Sequence, residues 1–212
     1  MEGIQMQTTI YTIGYSGFTR NEFVRTAAGL GIDTVIDVRS NPHSHHSPEY
    51  NCTEMEDRLK TDGIRYRNYA EEFGARQENR AFYSDDGILD FEVFSASEQF
   101  LRGVEKVIGA MEKGSRIALM CKEEQPIDCH RAILVARAFH DRGYCVQHIC
   151  PDGILTQEEL EIQLLNRYFP DRARHPSPYD GKTDAVLLQE AYRLRNRDIG
   201  YHRKPDADPG NV

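Results

Sequence analysis

The sequence predicts an α/β fold: a mostly parallel open sheet of about five strands with helices on both faces, Rossmann-like and three-layered, plus a C-terminal helix. Three observations carry this. Short β-rich runs alternate with segments of helical period from Thr8 to Tyr168, as in chained βα units. Ile117 to Met120 is apolar with no period of its own, as expected of a strand buried on both faces. Glycines stand where helices should stop, Gly29 and Gly31 early and Gly143 late.

In order, a few residues expected to be mobile precede Thr8 to Ile13, a first strand feeding the turn Gly14-Tyr15-Ser16-Gly17. Thr19 can cap a helix to about Leu30, with Phe23, Val24, Ala27 and Leu30 as its apolar face. Thr34 to Arg39 reads as a second strand, placing Asp37 and Arg39 on one face near its carboxyl end. Residues 40–51, with two prolines and His43, His45 and His46, form a loop, read either as a solvated segment or as a lid bringing imidazoles to the sheet edge. A short helix over Glu54 to Thr61 precedes a third strand, Ile64 to Tyr69. The irregular stretch Gly74 to Asp90 is long enough to be a second candidate lid.

Phe91 to Lys113 reads as one amphipathic helix, packing on the sheet. After the central strand ends at Cys121 come polar residues and Pro126. Asp128 is then the expected N-cap of a helix whose first turn carries Cys129, His130 and Arg131. Tyr144 to Cys150 is a further strand, Pro151-Asp152-Gly153 a turn, and Thr156 with Glu159 has the form of a capping box ahead of a helix to Tyr168. Residues 1–169 are thus read as the α/β domain. Residues 170–212 are read as a linker, a docked helix over Thr183 to Arg197 and a disordered tail, with Arg193, Arg195 and Arg197 taken as a solvated face.

Composition narrows the functional classes. With 212 residues, 39% of them hydrophobic, one domain with a sizeable core is expected. A formal charge of −8 argues against a protein that coats nucleic acid, while leaving room for a local arginine cluster in a cleft. Five cysteines, several in core segments, and no apolar run of membrane length point to a reducing cytoplasm and to no membrane association.

The chemistry-bearing stretch is Arg116 to Phe139. A strand, a polar loop and a helix N-terminus bring two thiols, an imidazole and a guanidinium to one place, where free backbone N–H groups favour an anion and lower a cysteine pKa. TIGYSG at 12–17, IDVRSNPHSHHSPEYN at 36–51, FGAR at 73–76 and above all MCKEEQPIDCHR at 120–131 resemble the markers of the domain of unknown function 488 family, over about Thr8 to Leu165. The tail EAYRLRNRDIGY at 190–201 is also similar to family members. The resemblance implies a fold and a shared constellation without a reaction. One departure stands out: the loop after Arg39 usually carries arginines in that family, and here carries histidines.

Other chemistries fit the spacing less well. A phosphatase loop needs an arginine six positions after its cysteine, where Ile127 stands. A rhodanese-type sulfurtransferase is paralleled by Asp37-Val38-Arg39 and by Cys121 at a strand end, yet the short cradle is replaced by a longer loop with Pro126. A metal set would draw on Cys121, Cys129, His130 and a loop histidine; against it, seven residues separate the thiols, and no metal ligand is assigned. The leading expectation is an enzyme or binding protein for a phosphate-bearing small molecule or nucleic-acid end. Cys121 or Cys129 would be the nucleophile, and Asp37 or Glu123 the general acid or base. Ser16, Arg39, His46, His130 and Arg131 would bind substrate. A rhodanese-like sulfurtransferase or thiol-redox protein using Cys121 and a non-catalytic nucleic-acid-binding or Cys/His metal-binding module are the alternatives, and the cofactor and oligomeric state are left open.

Overall fold

The computed structural model describes residues 8–172 and 181–203. The expected mobile start, most of the linker and nearly all of the tail lie outside these residues.

The strands are β1 (Thr9–Gly14), β2 (Thr34–Asp37), β3 (Arg65–Asn68), β4 (Ile117–Cys121), β5 (Cys145–Cys150) and β6 (Gly153–Thr156). They form one sheet in the order β3-β2-β4-β1-β5-β6, parallel except for β6, which runs antiparallel to β5. The mostly parallel sheet is as expected, with a sixth strand added to the expected count of about five. The turn at 151–153 was legible, but its consequence was not: Cys150 pairs with Gly153, so Pro151 and Asp152 form a two-residue hairpin loop and the residues up to the helix cap become an edge strand.

Side-chain alternation along the strands separates two apolar layers. On one face Tyr11, Ile13, Val35, Ala118 and Met120 meet Phe23, Val24 and Ala27 of α1 (Arg20–Gly29) and Met55 and Leu59 of α2 (Cys52–Thr61). On the other, Ile10, Ile36, Ile117 and Leu119 share a core with several helices. These are α3 (Ala70–Phe73), α4 (Phe91–Ser95), α5 (Glu98–Glu112), α6 (Arg137–His140), α7 (Gln157–Tyr168) and α8 (Asp184–Ile199). Helices thus cover both faces, as three-layer α/β proteins require. No helix among the described residues is long and apolar enough to cross a membrane.

Capping explains the helix boundaries. Thr19 and Glu22 close a reciprocal capping box on α1, and Thr156 and Glu159 do the same on α7. The single helix expected over 91–113 is two. Asp90 accepts from Glu92 N and Val93 N to start α4, and Ser97 accepts from Phe100 N to start α5. Asp128 is not an N-cap. Pro126–Asp128 make a 3-10 turn, Cys129 is extended (φ −133°, ψ 135°), and a buried π-helical segment, Arg131–Ala136, then runs into α6.

The stretch 74–90 is tied down rather than free. Leu89 N donates to Tyr201 O at 3.0 Å and Arg203 N to Gly87 O at 2.8 Å, so it is stitched to the chain beyond α8.

Candidate functional site

Three adjacent strands, β2, β4 and β1, end side by side, and their carboxyl ends set the site. Cys121 closes the central one. Its thiol meets Glu123 Oε2 at 3.2 Å and His130 Nδ1 at 3.8 Å. Cys129 Sγ also reaches Glu123 Oε2, at 3.0 Å, and accepts a long bond from Arg131 N at 3.4 Å. His130 Nε2 lies 3.0 Å from Val38 O. A carbonyl oxygen only accepts, so Nε2 carries the proton and, in the neutral ring, Nδ1 presents its lone pair to the sulfurs.

Crowding and charge divide the protons unequally. The Cys121 thiol is pushed well up, by its hydrogen bond with Cys129 and by burial. Burial also opposes ionisation of Cys129, but the bond from Cys121 and the nearby Arg131 and His130 bring it well below the usual thiol range. Glu123 is exposed along its stem, yet its carboxyl lies against both sulfurs. Desolvation there, with Cys129 adding, raises its pKa. The cluster is therefore an acid group in which Cys129 is the easiest thiol to ionise.

Asp37 and Arg39 form a buried pair. Arg39 Nε lies 2.9 and 3.0 Å from the two Asp37 oxygens, and Nη2 is 2.5 Å from Oδ2 and 2.8 Å from Tyr50 O. Tyr66 OH donates to Asp37 Oδ2 at 2.6 Å. Asp37 is thus committed to holding Arg39, whose guanidinium lies 5.1 Å from the Tyr15 ring centroid; Tyr15 in turn stacks on Tyr50 at 4.2 Å.

Arg131 is fully buried. Nη1 donates to Glu123 O at 2.5 Å, Nη2 to Glu124 O at 2.9 Å, and Nε reaches Thr12 Oγ1 at 3.4 Å. It holds the loop after β4 from beneath. The loop crosses so close to β1 that a methyl on Gly14 would lie 1.8 Å from Glu123 O, which is why glycine stands there.

Above the cluster opens a cleft of about 610 Å3. Arg39, Cys121, Glu123, Cys129 and His130 line it, as do Tyr15, Ser40, His43, Arg76, Lys122, Asp128, Tyr201 and His202. Of the remaining sequence-expected site residues, Asp37 and Arg131 lie beneath the rim. Ser16 is exposed and tied through its N–H to Lys122 O, and His46 is exposed on its loop. The loop histidines do not join the thiols: His43 Nε2 faces Cys52 Sγ at 3.5 Å. Arg76 and the Tyr201-His202 wall were missed as site residues, although the FGAR and RDIGY patterns that carry Arg76 and Tyr201 were visible. Arg76 N donates to Ser40 Oγ at 2.7 Å, and its guanidinium lies 4.8 Å from the Tyr201 ring centroid.

Fold and cleft together define an α/β protein with a thiol, carboxylate and imidazole cluster at the carboxyl rim of a parallel sheet. A family model described as "Domain of unknown function DUF488" matches residues 19–138, and the chain belongs to that family. No curated protein and no solved structure matches it.

Proposed function

We propose that this chain is an enzyme acting on a phosphate-bearing substrate, a nucleotide or a nucleic-acid end, bound in the cleft at the carboxyl rim. The observation that carries the reading is the lining. Arg39, Arg76, Lys122, His43, His130 and His202 gather there against Glu123 and Asp128, on a chain whose formal charge is −8. Arg76 and Lys122 hold the phosphate, with the Nη1 edge of Arg39 beside them, since Asp37 and Tyr50 take its other nitrogens. Tyr201 supplies a ring face for a base. The thiol cluster is the reactive centre, and Glu123, touching both sulfurs, takes or gives the proton. Asp37 positions Arg39, and Arg131 positions the loop. A reducing compartment, the cytoplasm, belongs to the same reading because both thiols must stay reduced.

Equilibrium titration with inorganic phosphate, nucleoside mono- and diphosphates, and oligonucleotides with and without a terminal phosphate tests it. Salt-sensitive binding to phosphate-bearing probes is expected, weakened about tenfold by Arg76→Ala or Lys122→Ala, the loss of one charge-assisted hydrogen bond. Absence of binding to every phosphate-bearing probe, or equal binding to oligonucleotides lacking the terminal phosphate, contradicts it.

A further inference from the structure

We infer that Cys121 Sγ, Cys129 Sγ and His130 Nδ1 hold one thiophilic divalent cation of the zinc class, leaving a fourth position open to the cleft. The three donor atoms lie within 4.8 Å of one another, and Glu123 Oε2 stands beside them, 3.2 Å from Cys121 Sγ and 3.0 Å from Cys129 Sγ. Tetrahedral zinc with ordinary Zn–S and Zn–N bonds sets its sulfur and nitrogen ligands about 3.5 Å apart. The 3.8 Å between Cys121 Sγ and His130 Nδ1 is close to that spacing before any cation draws them in.

The surroundings match what a metal ligand needs beyond its own lone pair. His130 donates its other ring nitrogen to Val38 O, which fixes the tautomer that leaves Nδ1 available and sets the ring plane. The Arg131 N–H points at Cys129 Sγ, the acceptor arrangement that supports a thiolate. Arg131 also clamps two carbonyls of the loop between the two cysteines, those of Glu123 and Glu124, so the ligands sit on a preorganised frame rather than on a mobile segment. Two thiolates and a divalent cation sum to zero charge, which relieves the cost of placing acid groups side by side beneath the rim.

All three ligands line the cleft, so the side they leave uncovered faces substrate. Three protein ligands and one open position make a catalytic rather than a structural zinc site. A phosphate oxygen or a water fits the open position, with Glu123 next to it. That electrophilic role rests on the function proposed above; binding of the cation does not.

The test uses the full chain, purified reduced and stripped of metal, and titrated with Zn2+ against a chromophoric chelator and with Co2+ alone. Expected are one equivalent of either ion and, for cobalt, thiolate charge-transfer bands with tetrahedral d–d absorption. Cys121→Ser, Cys129→Ser and His130→Ala should each lower affinity at least about 100-fold, the upper end of what removing a mere outer-shell partner costs. Cys145→Ser should leave it unchanged. The cobalt spectrum of the unaltered protein needs no variant to fold. Octahedral cobalt without sulfur bands, affinity indifferent to all three substitutions, or a Cys121–Cys129 disulfide in the reduced preparation would overturn the inference. Stoichiometric zinc without phosphate-probe binding would remove the proposed function and leave the metal site standing.

Discussion

At the scale of single residues, Arg131 shows how far a side chain's type underdetermines its role. An arginine beside a cysteine and a histidine at a helix start reads as an anion ligand, yet its guanidinium is buried and spent on two carbonyls and a threonine. Which way an arginine points depends on what lies beneath it, and that was not legible. Beneath it is a polar chain: Thr12 Oγ1 meets His148 Nδ1 at 2.8 Å, and His148 Nε2 meets Gln157 Oε1 at 2.9 Å. Burial first, then the nearby Arg131 charge, lowers the His148 pKa to about 3. The unfolded chain binds a proton near pH 6.5 and the folded chain does not, so this residue's contribution is complete above that pH and is lost as pH falls toward 3. Its share of the slope reaches about 1.4 kcal/mol per pH unit. Urea unfolding at stepped pH should show that slope for the native chain and a flatter one for His148→Asn; identical slopes would contradict this.

At the scale of elements, the strand ends and the β4 loop fit each other by contact rather than by motif. Cys121 at the end of a doubly buried strand, and the caps Thr19 and Thr156, were legible because each depends on neighbours a few residues away. Asp128 was misread because its partner is distant: Arg195 of α8 binds it. A helix start was expected at Asp128, and the extended Cys129 moved it along the chain. Gly14 is the sharpest test of the fit. Gly14→Ala should displace the loop, cost about 1–3 kcal/mol through overpacking and weaken Zn2+ binding. Gly29→Ala, whose added methyl meets nothing within 4 Å, should be neutral or slightly stabilising because it sits in α1. Equal behaviour of the two variants by calorimetry and metal titration would contradict the close approach.

For the molecule as a whole, the α8 helix is part of the site's foundation. Leu187, Ala191 and Tyr192 enter the core, Tyr192 OH accepts from Gln157 Nε2 at 2.8 Å, and Ile199 to His202 complete the cleft wall. Arg195, read from sequence as solvated, is 4% exposed and donates from Nε to Ile127 O at 2.9 Å. Helical spacing shows an apolar stripe but not which arginine beside it is covered. Arg195→Ala should therefore lower stability by about 1–3 kcal/mol and loosen the turn that presents Cys129. Arg193→Ala, which removes only an exposed pair with Glu92, should leave the melting temperature where it is. Equal shifts in the two variants would count against α8 as a support.

The central claim is that sequence-distant groups meet as one reactive centre at the carboxyl rim, and anomalous diffraction from crystals grown with zinc and a nucleoside monophosphate addresses it most directly. One zinc peak among Cys121 Sγ, Cys129 Sγ and His130 Nδ1, with phosphate density reaching Arg76, is the predicted result. Zinc only at surface histidines, with the nucleotide outside the cleft, would contradict it.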